Sequence, residues 1–268
     1  MDVAVHEAAE AVPFELSWQW QRQLQQRLLA DPQSPGGLLL LEHQPCYTLG
    51  RGADTAHLRF DPAHPPLPLF RIDRGGEVTH HAPGQLVLYP VLNLRRHGAD
   101  LHRYLRLLEQ CVIDLLAELD LAAERSAGQT GVWLQGHKLA AIGVGGRRWI
   151  SQHGLALNVS CDLSGFEAIV PCGIADRPVG RLLDWRPELA TPAATAWLRR
   201  RLLASCARCL GLTPRPPRPA EQLWSGPIPW RGQERDEAWR GRQHEPPSAN
   251  IHQVGEQIAL QRKHGEAI

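Results

Sequence analysis

The chain is nearly without lysine. Of its 29 basic residues 27 are arginine, and only Lys138 and Lys263 are lysine. A bias of this kind usually follows codon composition, so it excludes little, but it makes each lysine worth locating. An excess of charge is also missing: 29 basic residues meet 28 acidic ones and the formal net charge is +1. That balance gives no electrostatic case for a nucleic-acid partner. Long apolar runs are absent too. The tetrad Leu38–Leu41 is as long as any, far short of the ~20 residues that a membrane helix needs, so no membrane partner is expected. The N-terminal stretch MDVAVHEAAEAV carries acids and lacks the basic and apolar regions of a secretory leader. It also lacks the Arg-rich, acid-poor look of a transit peptide. The six cysteines (Cys46, Cys111, Cys161, Cys172, Cys206 and Cys209) are therefore expected as free thiols in the reducing cytoplasm. No internal repeat of about 20–50 residues is found.

What is present is an ordinary globular composition, 43% hydrophobic and 21% charged over 268 residues. That is enough for a sizeable core. Apolar residues at helical spacing predict a helix over 13–30, ended by Asp31-Pro32. Strands are predicted at 38–42, 47–49, 69–72 and 86–94, with a Pro-rich loop at 61–68. Asp100 is a candidate cap for a long amphipathic helix reaching Leu119. Short strands follow at 131–135, 138–144 and 149–159, and Gly145-Gly146 marks a hairpin between the last two. Thr191-Pro192 opens a helix that closes at Gly211. The expected class is α/β or α+β, with a central mixed or antiparallel sheet and flanking helices rather than a regular βαβ series. After Thr213 the composition changes. Residues 214–268 hold 8 of the 22 prolines, many charges and few aliphatics. They are expected to be a poorly ordered Pro/Arg-rich tail beyond a domain spanning 1–213, although Trp224, Trp230 and Trp239 leave room for a docked segment.

Five features bear on chemistry, each with a plainer reading beside it. The stretch Arg74-Gly75-Gly76-Glu77-Val78-Thr79-His80-His81-Ala82-Pro83-Gly84-Gln85 is either a tight connection between strands or a binding loop on a rigid scaffold. It lacks the Gly-Lys-Ser/Thr of a phosphate loop. Adjacent histidines point differently, and no Cys or Asp stands at ligand spacing, so no metal is expected. Gly50-Arg51-Gly52 is most simply a turn. Cys206 and Cys209 lie near the end of a helix and read as core packing, not as a metal or redox pair. Cys172 differs, because Pro171 and Gly173 place it in a turn, with Asp176, Arg177 and Arg181 nearby to perturb a thiol. Lys138 opens an apolar strand. It is either a solvated edge residue or a group whose proton can be exchanged, which arginine does not offer.

Taken together, these stretches resemble the lipoyl(octanoyl) transferases, which make protein-bound lipoate from octanoyl-acyl carrier protein. RGGEVTHHAPGQLVLYP, GVWLQGHKLAAIGV, HGLALNVS and FEAIVPCGI resemble four blocks of that family in order and spacing, over roughly Leu38 to Asp184. His80 stands where the family commonly has another aromatic residue, Ala82 where Gly is common, and no Ser or Thr precedes Leu182.

The resemblance implies a fold like the catalytic domain of biotin and lipoate protein ligases, and an acyltransferase activity for residues 1–213. It implies Cys172 as the acyl-thioester nucleophile and Lys138 as its proton-transfer partner. It implies a substrate pocket from three stretches: Arg74, Gly75, Gly76, Glu77, Val78, Thr79, His80 and His81; Ala141, Ile142 and Gly143; and Gly154, Leu155 and Ala156. The implied donor is octanoyl-acyl carrier protein. The implied acceptors are lipoyl domains of 2-oxoacid dehydrogenase complexes and the glycine cleavage H protein. No cofactor is expected, since a thioester is already activated. Backbone N–H groups around Cys172-Gly173 are candidate oxyanion donors. Two alternatives stand beside this reading: an ATP-dependent lipoate or biotin ligase, for which Gly50-Arg51-Gly52 is the best feature, and a non-catalytic protein that binds acyl carriers or lipoyl domains.

Overall fold

The computed structural model describes residues 1–170 and 178–228. In chain order they form β1 (Asp2–Val12), α1 (Phe14–Ala30), β2 (Gly36–His43), β3 (Cys46–Leu49), β4 (Leu69–Arg71), β5 (Val78–His81) and β6 (Gln85–Val91). There follow α2 (Leu101–Ala117), β7 (Glu124–Ser126), β8 (Gln129–Leu134), β9 (His137–Arg147), β10 (Ile150–Asn158), α3 (Pro192–Leu210) and β11 (Thr213–Arg215). The large sheet has the order β11-β1-β2-β6-β10-β9-β8-β7, and a small one the order β4-β3-β5. β1 pairs in parallel with β2 and β11, and β3 in parallel with β4. The remaining pairings are antiparallel. This is the expected mixed sheet with flanking helices.

Helices cover both faces of the large sheet, and this explains the leucine tetrad. Leu38 and Leu40 pack toward α2 and α3, whereas Leu39 and Leu41 pack toward α1. A strand buried on both faces reads as a continuous apolar run rather than an alternating one. The helix ends follow from local chemistry. The Asp100 carboxylate accepts the Arg103 N–H at 2.9 Å. The Thr191 hydroxyl accepts that of Ala194 at 3.1 Å. Gly211 closes α3 in the left-handed region at φ 62°, where glycine carries no Cβ penalty.

Three expectations need correction. The sequence reading contains no strand before α1, because alanine and glutamate are weak strand formers. β1 exists through its pairing with β2, and Val3, Ala4, Ala8 and Val12 are buried. The β9–β10 turn falls at Arg148 and Trp149, both at positive φ, not at Gly145-Gly146. Those two glycines lie inside β9, where close approach requires them. A Cβ on Gly145 would stand 2.4 Å from the Asp73 carbonyl oxygen, and one on Gly146 2.7 Å from that of Ile150. Finally, the boundary at 213 falls inside the packed body. β11 adds to the edge of β1, Arg215 pairs with Glu221 at 2.6 Å, and Trp224 stacks on Trp20 with centroids 4.2 Å apart. Ion pairing and aromatic stacking thus dock a Pro-rich segment as far as Ile228, and residues 229–268 lie outside the described residues.

Candidate active site

The small sheet carries the glycine-containing stretch, and Arg74 fixes it there. Its guanidinium is buried and donates to the Thr48 carbonyl at 2.7 Å, the Thr48 hydroxyl at 3.0 Å and the Gly75 carbonyl at 3.0 Å. The Gly75 N–H donates to Val144 O of β9 at 2.9 Å, which joins the two sheets. The turn Gly50-Arg51-Gly52 supports this loop. A Cβ on Gly50 would stand 1.8 Å from Gly76 O, and Arg51 N donates to Arg74 O. The Glu77 carboxylate accepts the Asp54 N–H and bonds His57 Nδ1, each at 3.1 Å.

A cavity of about 50 Å³ lies between β5, β9, β10 and α1. The structure brings most of the expected pocket residues together there. Arg74, Gly76, Glu77, Val78, Thr79 and His81, then Ala141–Gly143, then Gly154–Ala156 all line it, whereas Gly75 and His80 do not. Glycine keeps the walls close: a Cβ on Gly143 would stand 3.0 Å from Arg74 Cδ. Phe14, Ile72, Tyr89 and His153 complete the lining.

The two histidines part company, as adjacent strand residues must. His80 packs against Tyr47 and edge-on to Phe166, so it fills the aromatic position noted in the sequence. Burial lowers its pKa to about 4. His81 turns toward Phe14 and His43, and burial first, then the neighbouring His43, hold it well below the usual histidine range. Its Nδ1 lies 2.6 Å from Gln85 Oε1. The Gln85 amide donates to His80 O at 3.2 Å and to Asn158 Oδ1 at 2.8 Å. Gln85 Oε1 is therefore the acceptor, so His81 carries its proton on Nδ1 and presents Nε2 as a lone pair. Asn158 continues the chain by donating to Gly180 O at 3.0 Å. His43 is neutral by the same logic, its Nδ1 donating to Val12 O and its Nε2 accepting from the Tyr89 hydroxyl.

Lys138 is buried at the start of β9, its Nζ 5.0 Å from the Trp133 ring centroid, within cation–π range. Gly131, at φ 142°, leaves the room for its stem: a Cβ there would stand 2.7 Å from Lys138 Cε. The buried Glu109 carboxylate holds Gly131 by its N–H at 3.1 Å and is itself held by Arg106 and Arg125. Lys138 is not a lining residue of the cavity. It lies three residues before Ala141 on the strand that forms one wall. Its N–H donates to Pro178 O, and Gly180 N donates to its carbonyl. Cys172, with the rest of 171–177, lies outside the described residues.

Sequence reasoning placed Gln85 only within the glycine-containing stretch and gave no role to Asn158, Asp73, His153 or Phe14. The available signal was a polar side chain at the end of an apolar strand, as at Gln85 and Asn158. Phe14 looked like any apolar helix position. Asp73 and His153 face each other at 3.0 Å from 80 residues apart, which no local pattern announces. Burial pushes the Asp73 carboxyl up, but its bond to His153 outweighs this and leaves it below the usual carboxylate range.

Comparison with known proteins agrees with this architecture. Residues 13–204 match the family model of the lipoyl protein ligase A/B catalytic domain. The chain is 61% identical to the octanoyltransferase of Prochlorococcus marinus (strain MIT 9313), over 73% of this chain and 81% of that one. It is 64% identical to the octanoyltransferase of Synechococcus sp. (strain WH7803), over 68% and 76%. The bi-partite lipoate protein ligase of Thermoplasma acidophilum shares the fold, with a TM-score of 0.63 at 16% identity, covering 81% of this chain and 86% of that one. The chain belongs to the lipoyl protein ligase A/B catalytic-domain family. Within it the chain groups with the octanoyltransferases and is a transferase enzyme. No helix among the described residues is long and apolar enough to cross a membrane.

Proposed function

We propose that the chain moves an octanoyl group from octanoyl-acyl carrier protein, through a thioester on Cys172, to the ε-amine of a lipoyl-domain lysine. One observation carries the reading. A buried lysine stands on the strand that walls the cavity, and its backbone is bonded to the segment that follows Cys172. A thiol attacks a thioester only as the thiolate. Lys138 takes the Cys172 proton, and the sulfur attacks the octanoyl carbonyl. The new C–S bond forms, the bond to the carrier's phosphopantetheine sulfur breaks, and Lys138 returns the proton to that leaving thiol. In the second half the acceptor amine attacks the acyl-enzyme. The C–N bond forms, Lys138 takes the amine proton, and the Cys172 sulfur leaves. This is covalent catalysis of the ping-pong type. The acceptors are lipoyl domains of 2-oxoacid dehydrogenase complexes and the glycine cleavage H protein, and no cofactor takes part. The close wall at Ala141, Gly143, Gly154 and Ala156 holds the acyl chain, each buried methylene adding about 0.8 kcal/mol.

The test is intact mass spectrometry after incubation with octanoyl-carrier protein. The wild-type chain is expected to gain one hydroxylamine-sensitive octanoyl group and pass it to an apo lipoyl domain. Cys172→Ser is expected to gain none. A thioester, released by neutral hydroxylamine, that still formed on the serine variant would remove Cys172 as the nucleophile.

A further inference from the structure

One residue of β10 breaks the strand's alternation. Leu155 and Leu157 pack toward α2 and α3, while Ile150 and Ala156 pack toward α1. Side chains alternate faces with period two, so His153 is due on the side of Leu155. It is found on the other side. Its ring meets Tyr89 of the α1-facing cluster edge-on at 6.1 Å, its Nε2 lies 3.0 Å from Asp73 Oδ1, and it lines the cavity. The backbone turns it there by adopting φ 61°, a left-handed conformation that is strained for a residue with a side chain. Two partners hold the arrangement. Gln21 Oε1 of α1 accepts the His153 N–H at 2.7 Å, and Asp73 holds the buried ring.

The strand register says where along the cavity this polar pair stands. Ala156 pairs with Ala141, Gly154 with Gly143, and His153 with Val144. Lys138 lies on the same strand beyond Ala141. With Lys138 at the reacting end, as proposed above, His153 stands at the opposite end. Lys138 lies six strand residues from Val144, about 20 Å, of which the cavity wall from Ala141 to Val144 takes about 10 Å, comparable to an extended eight-carbon chain. The apolar walls therefore end at a buried imidazole bonded to a carboxylate.

We infer that His153, held by Asp73 and Gln21, closes the acyl channel and sets the length of chain that the enzyme accepts. An octanoyl group ends against the imidazole. A longer chain must push the ring off its carboxylate and leave the buried imidazole without that partner, which is costly. A shorter chain leaves apolar wall uncovered. His153 is a specificity-determining residue in this scheme. It takes no part in proton transfer.

The experiment compares hexanoyl-, octanoyl-, decanoyl- and dodecanoyl-carrier protein as donors, with an apo lipoyl domain as acceptor. Calorimetric binding of the four free fatty acids runs beside it. The wild-type chain is expected to favour eight carbons in both. In His153→Ala the decanoyl-to-octanoyl ratio of kcat/KM is expected to rise roughly tenfold, the burial of two further methylenes, with the same reordering in binding. Asp73→Asn leaves β10 intact and is expected to move the ratio the same way by a few fold, so it decides the matter if His153→Ala does not fold. An unchanged length preference in a folded variant overturns the inference. Loss of transfer with every wild-type donor, while binding preference still shifts in the variants, would overturn the reaction proposed above and leave the channel stop standing.

Discussion

On the α2–α3 side of the large sheet the buried residues are mostly aliphatic: Leu38, Leu40, Leu88, Leu155 and Leu157 meet Leu108, Val112, Leu115, Leu198 and Leu202. On the α1 side, where the small sheet joins, the described residues include the buried His43, His81 and His153, with Arg74, Thr48, Gln85 and Asn158. Buried polar groups destabilise unless bonded, and here they are bonded: His81–Gln85–Asn158–Gly180, His153–Asp73, His43–Tyr89 and Arg74–Thr48. One face gives stability through area removed from water. The other spends some of it to fix the positions of a cavity wall and of the strand that carries Lys138. The faces should therefore fail differently when altered.

Among variants that keep Cys172, the largest effect is expected for Lys138→Arg. Charge is kept, but arginine does not release its proton, having a pKa above ~12, and its longer planar head has to fit the space beside Gly131 and Trp133. Transfer is expected to fall by about 10²–10⁴-fold, the usual worth of general acid–base help. Thermal unfolding should move little. Near-normal turnover in a folded variant would show that Lys138 supplies charge alone. Leu108→Ala tests the opposite face. Its side chain is fully buried in α2, and truncating such a leucine costs about 2–5 kcal/mol. The expected outcome is a lower urea midpoint with octanoyl preference and kcat unchanged at a temperature where the variant is folded. A changed chain-length preference would show that the two faces are mechanically coupled.

Acid should act first on the α1 side. His43 and His80 have pKa values lowered to about 4 by burial, against an ordinary value near ~6.5 in the unfolded chain. The unfolded chain binds more protons between those values, so stability falls as pH drops from 6.5 toward 4. Each histidine contributes up to about 1.4 kcal/mol per pH unit across that window. Urea midpoints at pH 7.5 and pH 5 measure it. His80→Phe is expected to flatten the dependence, because His80 Nδ1 has no hydrogen-bond partner and its ring already sits between Tyr47 and Phe166. An unchanged slope would mean that His80 is not one of the titrating groups.

The sequence was most legible where local chemistry decides the outcome. Asp100, Thr191 and Gly211 mark helix ends that the structure keeps, and the leucine tetrad marks a strand covered on both faces. The Arg-Gly-Gly stretch was visible as a ligand-facing loop candidate because its glycines have no local explanation. What stayed hidden depends on residues far apart in the chain. β1 is a strand only because β2 lies beside it. Trp224 docks only because Trp20 is there to stack on. His153 looked like one more residue of an alternating strand, and its reversed direction appears only with φ and with Asp73 in place. Gly145-Gly146 shows the same limit from the other side. The pair reads as a turn in one dimension and serves as clearance for neighbouring carbonyls in three.

The smallest effect is expected where sequence spacing looks most suggestive. Cys206 and Cys209 have the spacing of a redox or zinc pair, but α3 sets them against Cys111 of α2, with Cys206 fully buried. The Cys209 thiol lies 3.4 Å from Asp114 Oδ2. Its contact with Cys111, followed by burial, pushes its pKa up, and the hydrogen bond with Cys206 does the same for Cys111. A raised pKa means little thiolate, hence little nucleophilicity or metal affinity at neutral pH. Their role is then packing alone. Cys209→Ala is expected to cost about 1 kcal/mol or less and to leave octanoyl transfer within twofold of wild type, beside the complete loss expected of Cys172→Ser. Iodoacetamide should label the folded Cys209 more slowly than a free thiol. Loss of transfer in folded Cys209→Ala would show that the helix face takes part in the reaction, and the division of labour between the two faces would have to be abandoned.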